Sequence, residues 1–337
     1  MEMKKTRLVY IDIAKGIGIL LVLLGHLLNN GHWLKSVIYT FHMPLFFIVS
    51  GMVLRPQPVI KKIRNRITDV LVPYFIWALI FSGFSFKKLM YIGYGTIAGL
   101  LKAGSSGVLW FLVCMFFASI FSQIIVTYTE KKKHRSFVLA AFMVITLVIS
   151  MAMSFFHYKI MIHGATLGYP WSMDIVFLAM SFMIFGRLAV DMKQMIPEEL
   201  KWYHLLIFVA LAAISLVGIM HKAEPGYPQM ATGRVGNYIV FFVVACAVVT
   251  GVIGISRFLE KTGPLSALLV WLGQNSMGIF LIHRTLRSTL QGYYNAYPSI
   301  WLFIILFVVF VVYSSIVTII INKLCPYLFR SEERRVG

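Results

Sequence analysis

The stretch Tyr10–Leu28, YIDIAKGIGILLVLLGHLL, is apolar for long enough to cross a bilayer as a helix, yet it carries Asp12, Lys15 and His26. Ionisable groups within a membrane span are expensive, at least ~2.5–3.5 kcal/mol each by insertion scales, and they mark function. Their spacing sharpens the point. At ~100° per residue, Lys15 and His26 fall only ~20° apart around the helix axis, and Asp12 lies within roughly 60° of both. One polar stripe therefore runs ~16 Å along the helix, with a cation near one end and an imidazole near the other. A titratable base and a fixed charge on one buried face point to chemistry or transport there.

The rest of the chain agrees with a membrane setting. Of 337 residues, 59% are hydrophobic and only 13% charged, well below the quarter usual in soluble domains. Continuous apolar windows predict an all-α polytopic membrane protein with about ten transmembrane helices, near 9–28, 37–54, 70–86, 108–128, 136–156, 172–190, 203–221, 236–256, 267–285 and 299–322. The apolar runs do not alternate, which excludes a spanning β-barrel. The net charge of +19 does not indicate nucleic acid, because the cations sit in short loops between spans. With the N-terminus in the cytoplasm, eighteen Lys and Arg residues fall inside and nine outside, Lys35 among the latter. This positive-inside bias predicts that both termini are cytoplasmic.

Cys114, Cys246 and Cys325 are an odd set without metal-ligand spacing, so free thiols are expected and no metal site. His157 and His163 have no supporting ligands. No small-residue cleavage site follows the first apolar run, so that run is expected to stay as an anchor. A single membrane domain over 1–329 is expected. The tail Arg330–Gly337, RSEERRVG, reads as the translation of a sequencing-library adapter and is set aside as an artefact. Two longer loops, 87–107 and 222–235, are expected outside, the first either re-entrant or a flexible connection.

Five pieces then occur in order: YIDIAKGIGILLVLLGH, FHMPLFFIVSGMVL (Phe41–Leu54), LVPYFIW (Leu71–Trp77), VLWFLVCMF (Val108–Phe116) and NSMGIFLIH (Asn275–His283). Together they resemble the acyltransferase-3 family of integral membrane acyltransferases, which includes O-acetyltransferases of bacterial surface sugars. The resemblance runs from about residue 8 to 325. It implies a place in the bacterial cytoplasmic membrane and transfer of an acetyl group from cytoplasmic acetyl coenzyme A to a hydroxyl of a cell-surface glycan or lipid-linked sugar. Acetyl coenzyme A would be a donor, not a permanently bound cofactor; membrane lipids are the other expected partners. The family's first-helix motif, a cation, ten residues and a histidine, is met by Lys15 and His26. By resemblance His26 is the essential catalytic residue and Lys15 its paired cation.

The family also carries an Arg-x-x-Arg pair before the third helix, and here the chain departs from it. Arg66 is followed three residues later by Asp69, and Lys61-x-x-Arg64 is the nearest substitute.

An imidazole titrates near neutrality, so a neutral His26 can take the proton from an attacking sugar hydroxyl, an effect worth ~10²–10⁴-fold, or accept the acyl group itself. Asp12 either orients these groups or is neutralised by Lys15. Lys61, Arg64 and Arg66 are candidates for coenzyme A phosphates, and equally for topology or lipid headgroups. His42 beside Pro44, Trp110, His283 and Arg284 are candidate acceptor contacts. Ser50 and Gly51 read as close helix packing, as do Gly16, Gly18 and Gly25. A different class, a transporter of a small substrate on the same scaffold, would use the same stripe as a pathway. An inactive structural partner is a third.

Overall fold

The computed structural model describes residues 8–30, 32–86, 107–157, 161–162, 165–166, 169, 173–192 and 227–325. Within these the chain is helical apart from a two-residue antiparallel pair, Met161–Ile162 with Ala165–Thr166. The helices are α1 (Val9–Leu27), α2 (Trp33–Met52), α3 (Val59–Arg66), α4 (Val72–Phe81), α5 (Trp110–Thr129), α6 (Arg135–His157), α7 (Met173–Asp191), α8 (Tyr238–Leu259), α9 (Pro264–Gln274), α10 (Ser276–Ala296) and α11 (Ile300–Leu324). Among the described residues, seven helices are long and apolar enough to cross a membrane, and α9 with α10 forms a bent pair that makes an eighth. The expected span 203–221 and the loop 87–106 lie outside the described residues.

Two expected spans differ from the sequence reading. The third is not one straight apolar helix. A basic helix, α3, runs through a π-helical turn at Ile67–Leu71 into the ten-residue α4. Such turns re-aim side chains and concentrate at functional sites. The ninth breaks at Asn275, where α9 and α10 meet at 75°. Backbone groups freed inside a membrane must find partners. Asn275 supplies some of them: its Nδ2 donates to Trp271 O at 2.8 Å, and its Oδ1 accepts from Asn322 Nδ2 at 3.2 Å.

α1 is the hub, packed against α2, α8, α9, α10 and α11. Its contact with α9 is closed by two glycines facing each other's backbone. A Cβ on Gly16 would stand 2.1 Å from Leu269 O, and one on Gly273 would stand 1.9 Å from Asp12 O. α2 and α7 repeat the device through Gly51 and Gly186, at 2.0 Å from Met183 O and 2.1 Å from Ile48 O. Without a hydrophobic driving force in lipid, such close approach is what holds helices together. α6 and α11, by contrast, are mostly exposed along their length and form the lipid-facing rim. α2 continues through Pro44 as one helix.

At one end of the bundle, Arg187 donates to Leu54 O at 2.7 Å and pairs with Asp191, which also meets Arg135 Nε at 3.2 Å. This ties α7 to α2 and α6.

Candidate active site

The stripe on α1 serves two separate places, a cavity at Lys15 and a histidine cluster at His26. Lys15 lines a cavity of about 130 Å³ near the N-terminal half of α1, together with Ser50, Arg66, Asp69, Phe111 and Phe280. The π-helical turn explains part of this wall. It carries Asp69 one turn beyond Arg66, and both side chains are buried. The opposite wall is the break between α9 and α10, which contributes Gly273, Gln274 and Ser276.

The three proposed donor-binding cations part company here. Arg66 reaches the cavity, whereas Lys61 and Arg64 are exposed on the other face of α3. Of the residues weighed for the family's Arg-x-x-Arg pair, those that line the cavity are Arg66 and Asp69, at i, i+3 spacing, and not Lys61 and Arg64. Asp12 is 2% exposed, buried against α9, and is not among the residues of the cavity wall. Trp110 is buried against Phe111, with ring centroids 6.1 Å apart, and likewise lies off the cavity wall.

A second polar cluster forms around His26 at the other end of α1. Its ring stacks on His283 of α10, with centroids 4.9 Å apart. The Tyr39 hydroxyl lies 3.1 Å from His26 Nδ1. Gly25 makes room for this contact, since a Cβ there would meet the Tyr39 ring at 2.9 Å. His42 packs on the far side of Tyr39, 4.7 Å between centroids. Thus α1, α2 and α10 bring three histidines to one place.

Two of their tautomers are fixed by the backbone. His42 Nδ1 donates to Ile38 O at 2.8 Å, and His283 Nδ1 donates to Phe280 O. A carbonyl only accepts, so each Nδ1 carries the hydrogen and each Nε2 keeps its lone pair. His283 is fully buried, and its Nε2 has no hydrogen-bond partner among the described residues. Arg284, next to it, turns away and lies 4.6 Å over the Phe81 ring.

Several residues here are invisible to motif reading. Lys35, counted among the outside cations, is one. It sits in the first turn of α2, 1% exposed, donating to Leu28 O and Asn30 Oδ1 at 3.0 and 2.9 Å. Its ammonium also lies over the rings of Tyr39 and Tyr227. Tyr227 comes from the segment before α8, packs edge-on against Tyr39 and covers the cluster from that side. A buried charge in an otherwise apolar window is the signal that finds Lys35; for Tyr39 and Tyr227 the sequence offers none.

Phe280 joins the cavity and the cluster. It lines the cavity on one side, and on the other its ring contacts His283 at 5.6 Å and Phe111 at 5.2 Å. Phe111 in turn meets Phe46 and Phe47. An aromatic partition therefore stands between Lys15 and the histidines. Among the described residues, no group of three or more His, Cys, Asp or Glu side chains is placed to hold a metal ion.

Comparison with known proteins gives the same direction throughout. A family model described as an acyltransferase domain matches residues 8–322. Nodulation protein NolL of Sinorhizobium fredii is 30% identical over 158 residues, which is 41% of this chain and 43% of that protein. Nodulation protein NolL of Mesorhizobium japonicum is 28% identical over 137 residues, 35% of this chain and 36% of that protein. The matched stretch thus spans less than half the length of either curated relative. No solved structure matches the chain.

Proposed function

Because the chain belongs to the acyltransferase family whose model spans residues 8–322, we propose that this membrane acyltransferase moves an acetyl group from acetyl coenzyme A to a glycan hydroxyl. The observation that carries this reading is that one helix, α1, serves both a cavity and a histidine cluster. Lys15 meets Arg66 around a cavity, and His26 sits among histidines beyond the Phe280 partition. The loop cations support a topology with both termini in the cytoplasm, about ten spans, and the cavity in the cytoplasmic half. Donor phosphates and thioester then approach from the Lys15 side. The acceptor approaches from the side capped by Tyr227, as a cell-surface glycan or lipid-linked sugar.

In this scheme the acceptor oxygen attacks the thioester carbonyl carbon while an imidazole nitrogen of His26 takes the hydroxyl proton. The Tyr39 contact at Nδ1 orients the ring. The tetrahedral intermediate expels coenzyme A as a thiolate, and the same proton passes from His26 to the sulfur. Every atom is accounted for without a further reactant. Lys15 and Arg66 hold negative charge on the donor side, where a cation inside a low-dielectric wall acts strongly. The partition moves aside for the thioester to reach His26.

The test is transfer from radiolabelled acetyl coenzyme A by purified enzyme to cell-envelope glycans, with acetylated product identified by mass spectrometry. His26→Ala is expected to fall by at least ~100-fold while keeping its expression and membrane insertion. Wild-type rates from purified His26→Ala would refute the assignment.

A further inference from the structure

The electrostatics of the histidine cluster are one-sided. Lys35 is an almost fully buried ammonium, and such a group is normally paired with a carboxylate. Its partners here are all neutral: a carbonyl, an amide oxygen and two aromatic faces. Arg287, one turn beyond His283 on α10, has no hydrogen bond or ion pair among the described residues. Its charge nonetheless acts on His26, Lys35, Tyr39 and His283. Among the described residues, the charged side chains acting on these groups are Lys35, Arg284 and Arg287, and none is acidic. Alongside them the buried Nε2 of His283 presents a lone pair with no donor.

The pattern has a physical reading. A half-buried guanidinium left without an anion, backed by a second cation that is also unpaired, is unfavourable in the empty protein. It becomes favourable when a ligand brings negative charge, and guanidinium suits carboxylate and phosphate geometry. An unfilled acceptor nitrogen beside it suits a ligand that also brings hydroxyl groups. A sugar bearing an acidic group has both.

We propose that the acceptor is an anionic glycan, and that Arg287 binds its carboxylate or phosphate while a sugar hydroxyl of the same ligand meets His283 Nε2 beside His26. The proposal rests on the acceptor reading given above and names its substrate class. Lys35, whose ammonium is already engaged by Leu28 O and Asn30 Oδ1, sets the sign of the field. Arg287 makes the contact. The ring stack of His26 on His283 puts the hydroxyl that His283 receives next to the catalytic imidazole.

Binding tests this without depending on which acyl group is transferred, so a failure of the acetyl-transfer scheme would not mimic its own failure. The full chain in phosphatidylcholine nanodiscs is titrated with a galacturonic acid trisaccharide and with its methyl ester, which has the same rings without the charge. Glucose 1-phosphate and glucose form a second pair and separate phosphate from carboxylate as the preferred group. Binding is read by thermal shift and by protection of the His26 peptide from diethyl pyrocarbonate.

The expected result is that the charged member of at least one pair binds about tenfold tighter or more, as one charge-assisted contact gives. Arg287→Gln abolishes that preference and Arg287→Lys retains part of it. Equal binding within both pairs overturns the proposal, as does a preference that survives Arg287→Gln. A parallel titration with phosphatidylglycerol nanodiscs addresses the lipid source. Should that lipid alone give the Arg287-dependent stabilisation, with no sugar preference in either membrane, Arg287 is a headgroup site and the proposal fails.

Discussion

Gly273→Ala isolates the contact that sets the shape of the cavity beside Lys15. The added Cβ would stand 1.9 Å from Asp12 O, and real Cβ atoms essentially never approach a heavy atom within 3.0 Å. α1 and α9 must therefore part by about 1.1 Å, because the obstruction is a helical carbonyl that cannot rotate aside. Overpacking of this kind costs about 1–3 kcal/mol. Roughly 2–4 °C of melting temperature goes with each kcal/mol in proteins of 150–250 residues, so a fall of several degrees is expected. The function should suffer more than the stability. Gly273 itself lines the cavity opposite Lys15, and a displacement of ~1 Å at a reacting centre is worth about 100-fold in rate. The assay pairs a thermal melt in detergent with acetyl transfer. Gly292→Ala is the control, since a Cβ there meets nothing within 4 Å and Ala exceeds Gly in helix propensity by about 0.8–1.0 kcal/mol. A Gly273→Ala enzyme as stable and active as Gly292→Ala would refute the close-packing argument.

Two more variants probe the cavity and the cluster separately. Arg66→Gln should raise KM for acetyl coenzyme A about tenfold or more, as loss of a charge-assisted contact does, while Lys61→Gln and Arg64→Gln each shift it less than about twofold; equal effects at all three positions would remove Arg66 from the donor site. Tyr39→Phe deletes the hydroxyl 3.1 Å from His26 Nδ1 and should lower kcat about fivefold at constant KM, measured by steady-state kinetics. An unchanged kcat would show that the contact does not orient the imidazole.

The seven long helices were legible because a membrane span needs nothing more than an unbroken apolar window, and α1 was legible in detail because three charges at fixed angles have few innocent explanations. The break at Asn275 was not. Hydropathy averages over a window and carries no direction, so the polar run Gln274-Asn275-Ser276 looks like a weak point in one span and not like two helices at 75°. The π-helical turn is hidden for a similar reason: one extra residue in a helix leaves the composition of Ile67–Leu71 unchanged. In the candidate site, Lys15 and Arg66 come together although 51 positions separate them, a proximity that single-chain spacing cannot supply. Lys35 falls just before the expected span 37–54, where a basic residue is unremarkable. Leu28 O, Asn30 Oδ1 and the Tyr39 face that shelter it come from within seven positions, and only the Tyr227 face comes from a distant segment.

The edge-to-face packing of Phe46, Phe111 and Phe280 has a bearing on the energetics of the host cell. A bilayer that stores energy as ion gradients tolerates no standing water wire, since each charge crossing it dissipates about 2.3 kcal/mol per 100 mV. Histidines on one side and a cavity lined by Lys15, Arg66 and Asp69 on the other are the makings of such a wire. Apolar rings packed between them offer a hopping proton neither donor nor acceptor. A membrane protein with ionisable groups at both ends of one helix is thereby kept electrically silent.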